Sequence, residues 1–180
     1  MIRLQANINK DPNVVKTLNE AVDRVKTIAL IHDKIYKSTE INAIELNEYV
    51  QSLAKDIEMQ FSFGKEVALS IEGENIKVSV DTIVPLALIL NELVTNSFKY
   101  VFETQENPEI KIQFKIIDEH HLEMIYFDNG KWLTNEESDF FGSSLIEIFT
   151  DQLEGDFKLH KEVTGTQYNF MFKTIKFKSD

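Results

Sequence analysis

Between residues 14 and 36 apolar side chains return every three or four positions: Val14 or Val15, Leu18, Ala21, Val22, Val25, Ile28, Ala29, Ile35 and Tyr36, with His32 in the same series. This is the period of an α-helix with one apolar stripe, about seven turns long. Asp11-Pro12 ahead of it is a helix start, Asp as the cap and Pro at a first position whose N–H has no helical partner. Residues 2 to 8 read as the last turns of an earlier helix, so the two pieces make an antiparallel hairpin. A stripe of that length needs covering, and the expectation is a homodimer through the hairpin, the other reading being packing on the chain's own second domain.

After Lys37-Ser38-Thr39-Glu40 the pattern changes. Residues 45–57 form a second amphipathic helix, then 67–71 and 77–80 alternate as strands around a turn at Gly73-Glu74. Asp81 and Thr82 are placed to cap a buried helix that begins Ile83-Val84-Pro85-Leu86. Residues 109–116 and 121–127 alternate strictly and form a hairpin, 144–153 read as helix, and 157–159 and 167–173 as closing strands. The expected organisation is a helical segment over 1–40 followed by a domain over 41–180. The class is α+β: a two-layer α/β sandwich, a mixed sheet with helices on one face, preceded by part of a helical hairpin.

Composition narrows the chemistry. Of the 180 residues 43% are hydrophobic, enough for a core. The net charge of −11, with no Lys/Arg cluster, argues against nucleic acid. With no cysteine there are neither disulfides nor thiolate sites, and no run reaches the roughly 18 apolar residues needed to span a bilayer, so this segment is expected to make no membrane contact.

Within the buried helix the polar residues stand out. Glu92, Asn96 and Lys99 fall at i, i+4 and i+7 and share one face. A carboxylate, an amide and an ammonium there suit a hydrated cation and a polyphosphate, or make a plain solvated face with a Glu-to-Asn hydrogen bond. Asp128-Asn129-Gly130 ends a strand, where the Asp can accept from an exocyclic amine or simply form a turn. Gly142-Ser143-Ser144 opens a helix, as a phosphate site or an N-cap, and Gly165-Thr166 precedes the last long strand.

In this order the motifs resemble the ATP-binding domain of sensor histidine kinases, whose fold is shared by gyrase-like, chaperone-like and mismatch-repair ATPases. The resemblance covers nearly the whole chain: residues 24–36 look like the second dimerisation helix of the subfamily with a non-standard histidine-bearing hairpin, and 85–96 are similar to its N box. It implies ATP and Mg²⁺ as ligands, with Asn96 on the metal, Glu92 orienting or deprotonating a water or the attacking group, and Lys99 neutralising phosphate. Asp128 would bind the adenine amine, Gly130 leave room for the ring, Gly142 meet the phosphates and Thr166 close the adenine pocket. The γ-phosphoryl group would pass to a histidine and then to the aspartate of a response-regulator receiver domain, in a cytoplasmic homodimer whose parent is open to membrane anchoring. The family's acceptor histidine lies upstream of the segment matching Met1 to Asn9, where no histidine occurs, so the chain alone is expected not to phosphorylate itself. Trp132 stands where the family has a second glycine, the lid over 131–141 is short, and Tyr100 replaces a common histidine. The other function class is accordingly a degenerate kinase-like dimeric scaffold or phosphotransfer protein without nucleotide.

Overall fold

The computed structural model describes residues 44–61, 66–74, 76–102, 105–130, 139–162 and 165–173, with Val14, Val15, Leu18, Val22, Val25, Ile28 and Ala29. The expected start at Asp11-Pro12, His32, the linker at 37–40 and Trp132 in the lid lie outside the described residues. The chain divides into two compact units, Met1–Thr39 and Glu40–Asp180. In the first, the described residues are all helical and fall at the spacing expected of the stripe. Val25 and Ile28 are 58% and 51% exposed, so the stripe is bare at these two positions in the single chain.

The second unit is built from strands β1 (Ile44–Glu45), β2 (Ala68–Gly73), β3 (Lys77–Val78), β4 (Glu109–Ile116), β5 (Leu122–Asp128), β6 (Asp156–Glu162) and β7 (Gly165–Phe172), with helices α1 (Leu46–Phe61), α2 (Val80–Asn96) and α3 (Asp139–Gln152). β1 and β3 form a small antiparallel pair, while the main sheet has the order β2-β4-β5-β7-β6. Among the described strands only the β2–β4 pair is parallel, because α2 lies between them in sequence and carries the chain back to the same edge. The other pairs are antiparallel.

Alternation decides which side of the sheet the helices cover. Ile110, Ile112 and Phe114 on β4, Leu122, Met124 and Tyr126 on β5, and Tyr168, Phe170 and Phe172 on β7 are buried, while Lys111, Gln113 and Lys115 between the β4 residues are exposed. Register stacks them in rungs: Ile112 opposite Tyr126 opposite Tyr168, and Phe114 opposite Met124 opposite Phe170. A slip of one residue would turn every one of them to the wrong face. Against this layer lies α2, buried almost all round through Ile83, Leu86, Ala87, Ile89, Leu90, Leu93 and Val94, with α1 and α3 packed on either side of it. Each Ile, Leu or Val among them contributes about 1.5 to 3 kcal/mol when fully buried, so α2 is the keystone of the core.

Two local expectations are corrected. The cap of α2 is Ser79, two residues before Asp81: its carbonyl accepts from Thr82 N and Ile83 N, and Asp81 instead sits in the first turn, where a carboxylate favours the helix dipole. α3 begins at Asp139, so Gly142 lies within its opening turns instead of ahead of them.

Gly165 does more than turn the chain. Its φ is +155°, and a Cβ there would collide with the Asp128 carbonyl oxygen and lie 2.7 Å from the Phe127 ring. Only glycine lets β7 approach β5 so closely at this end. Gly165→Ala is therefore expected to lower unfolding free energy by roughly 2 to 4 kcal/mol, measured by urea denaturation, against little change for Gln167→Ala two residues along.

Candidate functional site

The sheet's pleat places a carboxylate where a hydrocarbon would be expected. Asp128 is the last residue of β5 and continues the inward series Leu122, Met124, Tyr126 at period two. Its neighbours across the sheet are Ile110 and Thr166, and it is only 2% exposed. Withdrawing a carboxylate from water costs several kcal/mol unless donors replace the lost hydration. Three do so here: Ser97 Oγ donates to Oδ2 at 2.8 Å, Gly130 N donates to Oδ1 at 3.3 Å, and Thr166 N donates as well. Burial outweighs them, and the Asp128 pKa is pushed up to about 6.

Ser97 comes from the far side of the core. α2 ends at Asn96, and the coil then widens over Ser97–Val101, closed by Phe102 N donating to Ser97 O at 2.9 Å, an i to i+5 bond. Ser97 is fully buried, and its hydroxyl also lies 3.2 Å from Leu93 O and 2.7 Å from the Tyr126 hydroxyl. Burial and the nearby Asp128 carboxylate hold the Tyr126 phenol well above its ordinary pKa, so it stays protonated. Phe98 and Phe102 bury together edge to face, with ring centroids 5.6 Å apart, and fasten the widened turn to the core.

On the outer edge Asn129 is committed to structure. Its Oδ1 accepts from Glu109 N at 2.8 Å, its Nδ2 donates to Asn107 O at 2.8 Å, and its backbone N donates to Glu109 O at 3.2 Å. The Asp-Asn-Gly segment is thus the extended end of the β4–β5 ladder and no free turn.

Of the residues expected to act, hydrogen bonds join Asp128, Gly130 and Thr166 directly. Asn96 adjoins them through its chain neighbour Ser97, and Glu92 lies one turn back on α2, buried. Lys99 is half-buried in the widened turn, so the line through Glu92 and Asn96 does not run on to it as one regular α-helix. The surroundings of the Gly142 residue lie outside the described side chains. Ser97 and Tyr126 had no role in the sequence reading. Tyr126 was visible only as one more inward residue of a strand, and nothing in the spacing joins positions 97, 126 and 128.

A carboxylate offers about four lone-pair sites, and three are taken. One remains, and on the paired strand the Thr166 hydroxyl is buried without a partner, so this end of the sheet has one acceptor and one donor still to be used. Among the described residues no group of three or more His, Cys, Asp or Glu could hold a metal alone. Asn96 and Glu92 supply hard oxygen donors, which fits a magnesium ion that takes most of its ligands from phosphate and water.

The raised Asp128 pKa has a definite sign. The folded chain takes up this proton more readily than the unfolded chain, so the stabilisation is complete below about pH 4 and is lost as pH rises through about 6. Comparing wild type with Asp128→Asn cancels the other carboxylates. The difference in unfolding free energy is expected to shift by on the order of 3 kcal/mol against wild type between pH 4 and pH 7, measured by denaturant titration at each pH.

Comparison with known proteins bears on the family and the fold. A family model described as histidine kinase matches residues 1–61. Sensor histidine kinase PdtaS of Mycolicibacterium smegmatis is 23% identical over 172 residues, 92% of this chain and 34% of that protein. PdtaS of Mycobacterium tuberculosis is 23% identical over 163 residues, 86% of this chain and 32% of that protein. The chain thus spans about a third of the length of these relatives. The histidine kinase domain of the Erythrobacter litoralis EL346 blue-light activated histidine kinase superposes with a TM-score of 0.71 at 16% identity, over 95% of this chain and 92% of that one. The catalytic domain of histidine kinase ThkA superposes with a TM-score of 0.53 at 20% identity, over 74% and 96%. At such identities the structures speak to the fold. The family match, the relatives and the fold together identify the chain as similar to sensor histidine kinases, and its second unit has the fold of their catalytic domains.

Proposed function

We propose that the chain is the ATP-binding catalytic portion of a two-component sensor histidine kinase. The observation that supports this most is the buried Asp128 carboxylate, held by three donors with a lone pair to spare and set beside the unpartnered Thr166 hydroxyl. An acceptor so fixed discriminates strongly for a ligand N–H, because an analogue without that donor leaves the buried carboxylate lone pair unsatisfied. In this reading Asp128 takes the adenine amine, Gly130 and Thr166 line the base, and Lys99 and Gly142 meet the phosphates. Asn96 holds Mg²⁺, which when bound neutralises phosphate charge.

The γ-phosphoryl group leaves the β-phosphate oxygen and is bonded to a histidine nitrogen, Glu92 orienting the group that attacks or taking its proton. Catalysis of this kind comes from positioning and charge stabilisation. The phosphoryl group then passes to an aspartate of a response-regulator receiver domain. In this reading the complete reaction belongs to a parent protein of the relatives' length, about a third of which this chain spans. The exposed Val25 and Ile28 support a homodimer through the N-terminal helices. Among the described residues no helix is long and apolar enough to cross a membrane.

Mg-ATP titrated into the chain by calorimetry, with Trp132 fluorescence followed in parallel, is expected to saturate below millimolar nucleotide. Asp128→Ala should weaken binding by roughly 10- to 100-fold, the worth of a hydrogen bond to a charged group. Asn96→Ala should remove the dependence on magnesium while leaving metal-free binding unchanged. A flat titration up to millimolar nucleotide in both channels would instead favour the nucleotide-free scaffold, the reading to which Trp132 in the lid points.

A further inference from the structure

The site contains a chain of hydroxyls that the proposed reaction does not require. A carboxylate can only accept, so the single Ser97 proton goes to Asp128 Oδ2, at 2.8 Å, in preference to the longer contact with Leu93 O at 3.2 Å. The Ser97 oxygen is then left as acceptor for the Tyr126 hydroxyl at 2.7 Å, which has a proton to give. The order is fixed: Tyr126 donates to Ser97, and Ser97 donates to Asp128. All three groups are buried, where each bond polarises the next.

The three residues come from two elements, Ser97 from the widened turn after α2 and Tyr126 and Asp128 from alternate inward positions of β5. Ser97, backed by Tyr126, holds one carboxylate oxygen, while Gly130 N holds the other. Without Ser97 the carboxylate would keep its place in the strand but would lose the donor that fixes its plane. The Tyr126 hydroxyl has no part in packing that a phenylalanine ring could not fill.

We infer that Ser97 and Tyr126 are positioning residues, which fix the Asp128 carboxylate so that its free lone pair meets the exocyclic amine of an amino-purine nucleotide and discriminates against the 6-oxo analogue. This rests on the reading of the site as a nucleotide pocket. It adds two residues to the determinants of base choice, neither of which touches the base.

The test compares ATP with inosine triphosphate, which shares the sugar, the phosphates and most of the ring but carries a carbonyl in place of the amine. Wild type, Asp128→Ala, Ser97→Ala and Tyr126→Phe are titrated with both nucleotides by calorimetry in the presence of magnesium. Wild type should prefer ATP at least tenfold, and Asp128→Ala should abolish the preference. Ser97→Ala should weaken ATP about tenfold and inosine triphosphate less than twofold, and Tyr126→Phe should act in the same sense by about threefold. Retained binding of inosine triphosphate shows that each variant is folded at the site. Equal losses for both nucleotides would assign Ser97 and Tyr126 a merely structural role and overturn the inference, as would unchanged ATP affinity in Ser97→Ala while Asp128→Ala still loses it. In either case the nucleotide reading stands. Failure of wild type to bind either nucleotide overturns both.

Discussion

Everything about this domain turns on one unfavourable act, the burial of the Asp128 charge in the last rung of an otherwise apolar sheet face. The pleat gives no choice: if Tyr126 and Met124 are to lie in the core, so must residue 128. The three donors that hold it come from three places in the chain, the turn after α2, the residue following Asn129 and the start of β7. The cost of desolvation is therefore spread over contacts that form only when the helix layer, β5 and β7 are assembled together. Local order at the site and global order of the fold are the same event.

The same logic accounts for α2. Its apolar residues fill the space between sheet and flanking helices, which leaves it no free face on which to display Glu92 and Asn96 to solvent in the ordinary way. Polar groups on such a helix must be satisfied near its end, where the packing opens. The widened coil at Ser97–Val101 marks that change, and the buried Phe98 and Phe102 pair keeps the opening from spreading.

The elements were legible in the sequence because their periods are strong. Strict alternation over 109–116 and 121–127 gave β4 and β5 nearly to the residue, and the Ala68, Phe157 and Tyr168 runs fell where β2, β6 and β7 lie. The weaker points were ends. Asp81 was the more conspicuous cap candidate, yet Ser79 caps α2, since the strand before the helix is only two residues long. Gly142 seemed to open a helix because glycine is a strong punctuator, but Asp139 through Phe141 continue the coil backwards past it. At the site, Asp128 could be named from its place at a strand end, whereas its burial and its partners could not. Hydrogen bonds across 29 and 31 residues leave no mark on local spacing. In the sequence Gly165 stands out only as the residue before the last long strand, and the approach of β7 to the Asp128 backbone shows why it must be glycine.

Asn129, which sits between two residues assigned to the pocket, has the opposite character. Its side-chain amide imitates a peptide group, receiving the Glu109 N–H and giving to the Asn107 carbonyl, while Gln105 Nε2 donates to the Asn129 main-chain carbonyl at 3.3 Å. The end of β5 is in this way laced to residues 105–109 at three separate places, by the side-chain oxygen, the side-chain nitrogen and the main chain of one residue. In mechanical terms the amide is a rivet: it joins the strip of chain that enters β4 to the strip that leaves β5, between Asp128 and Gly130.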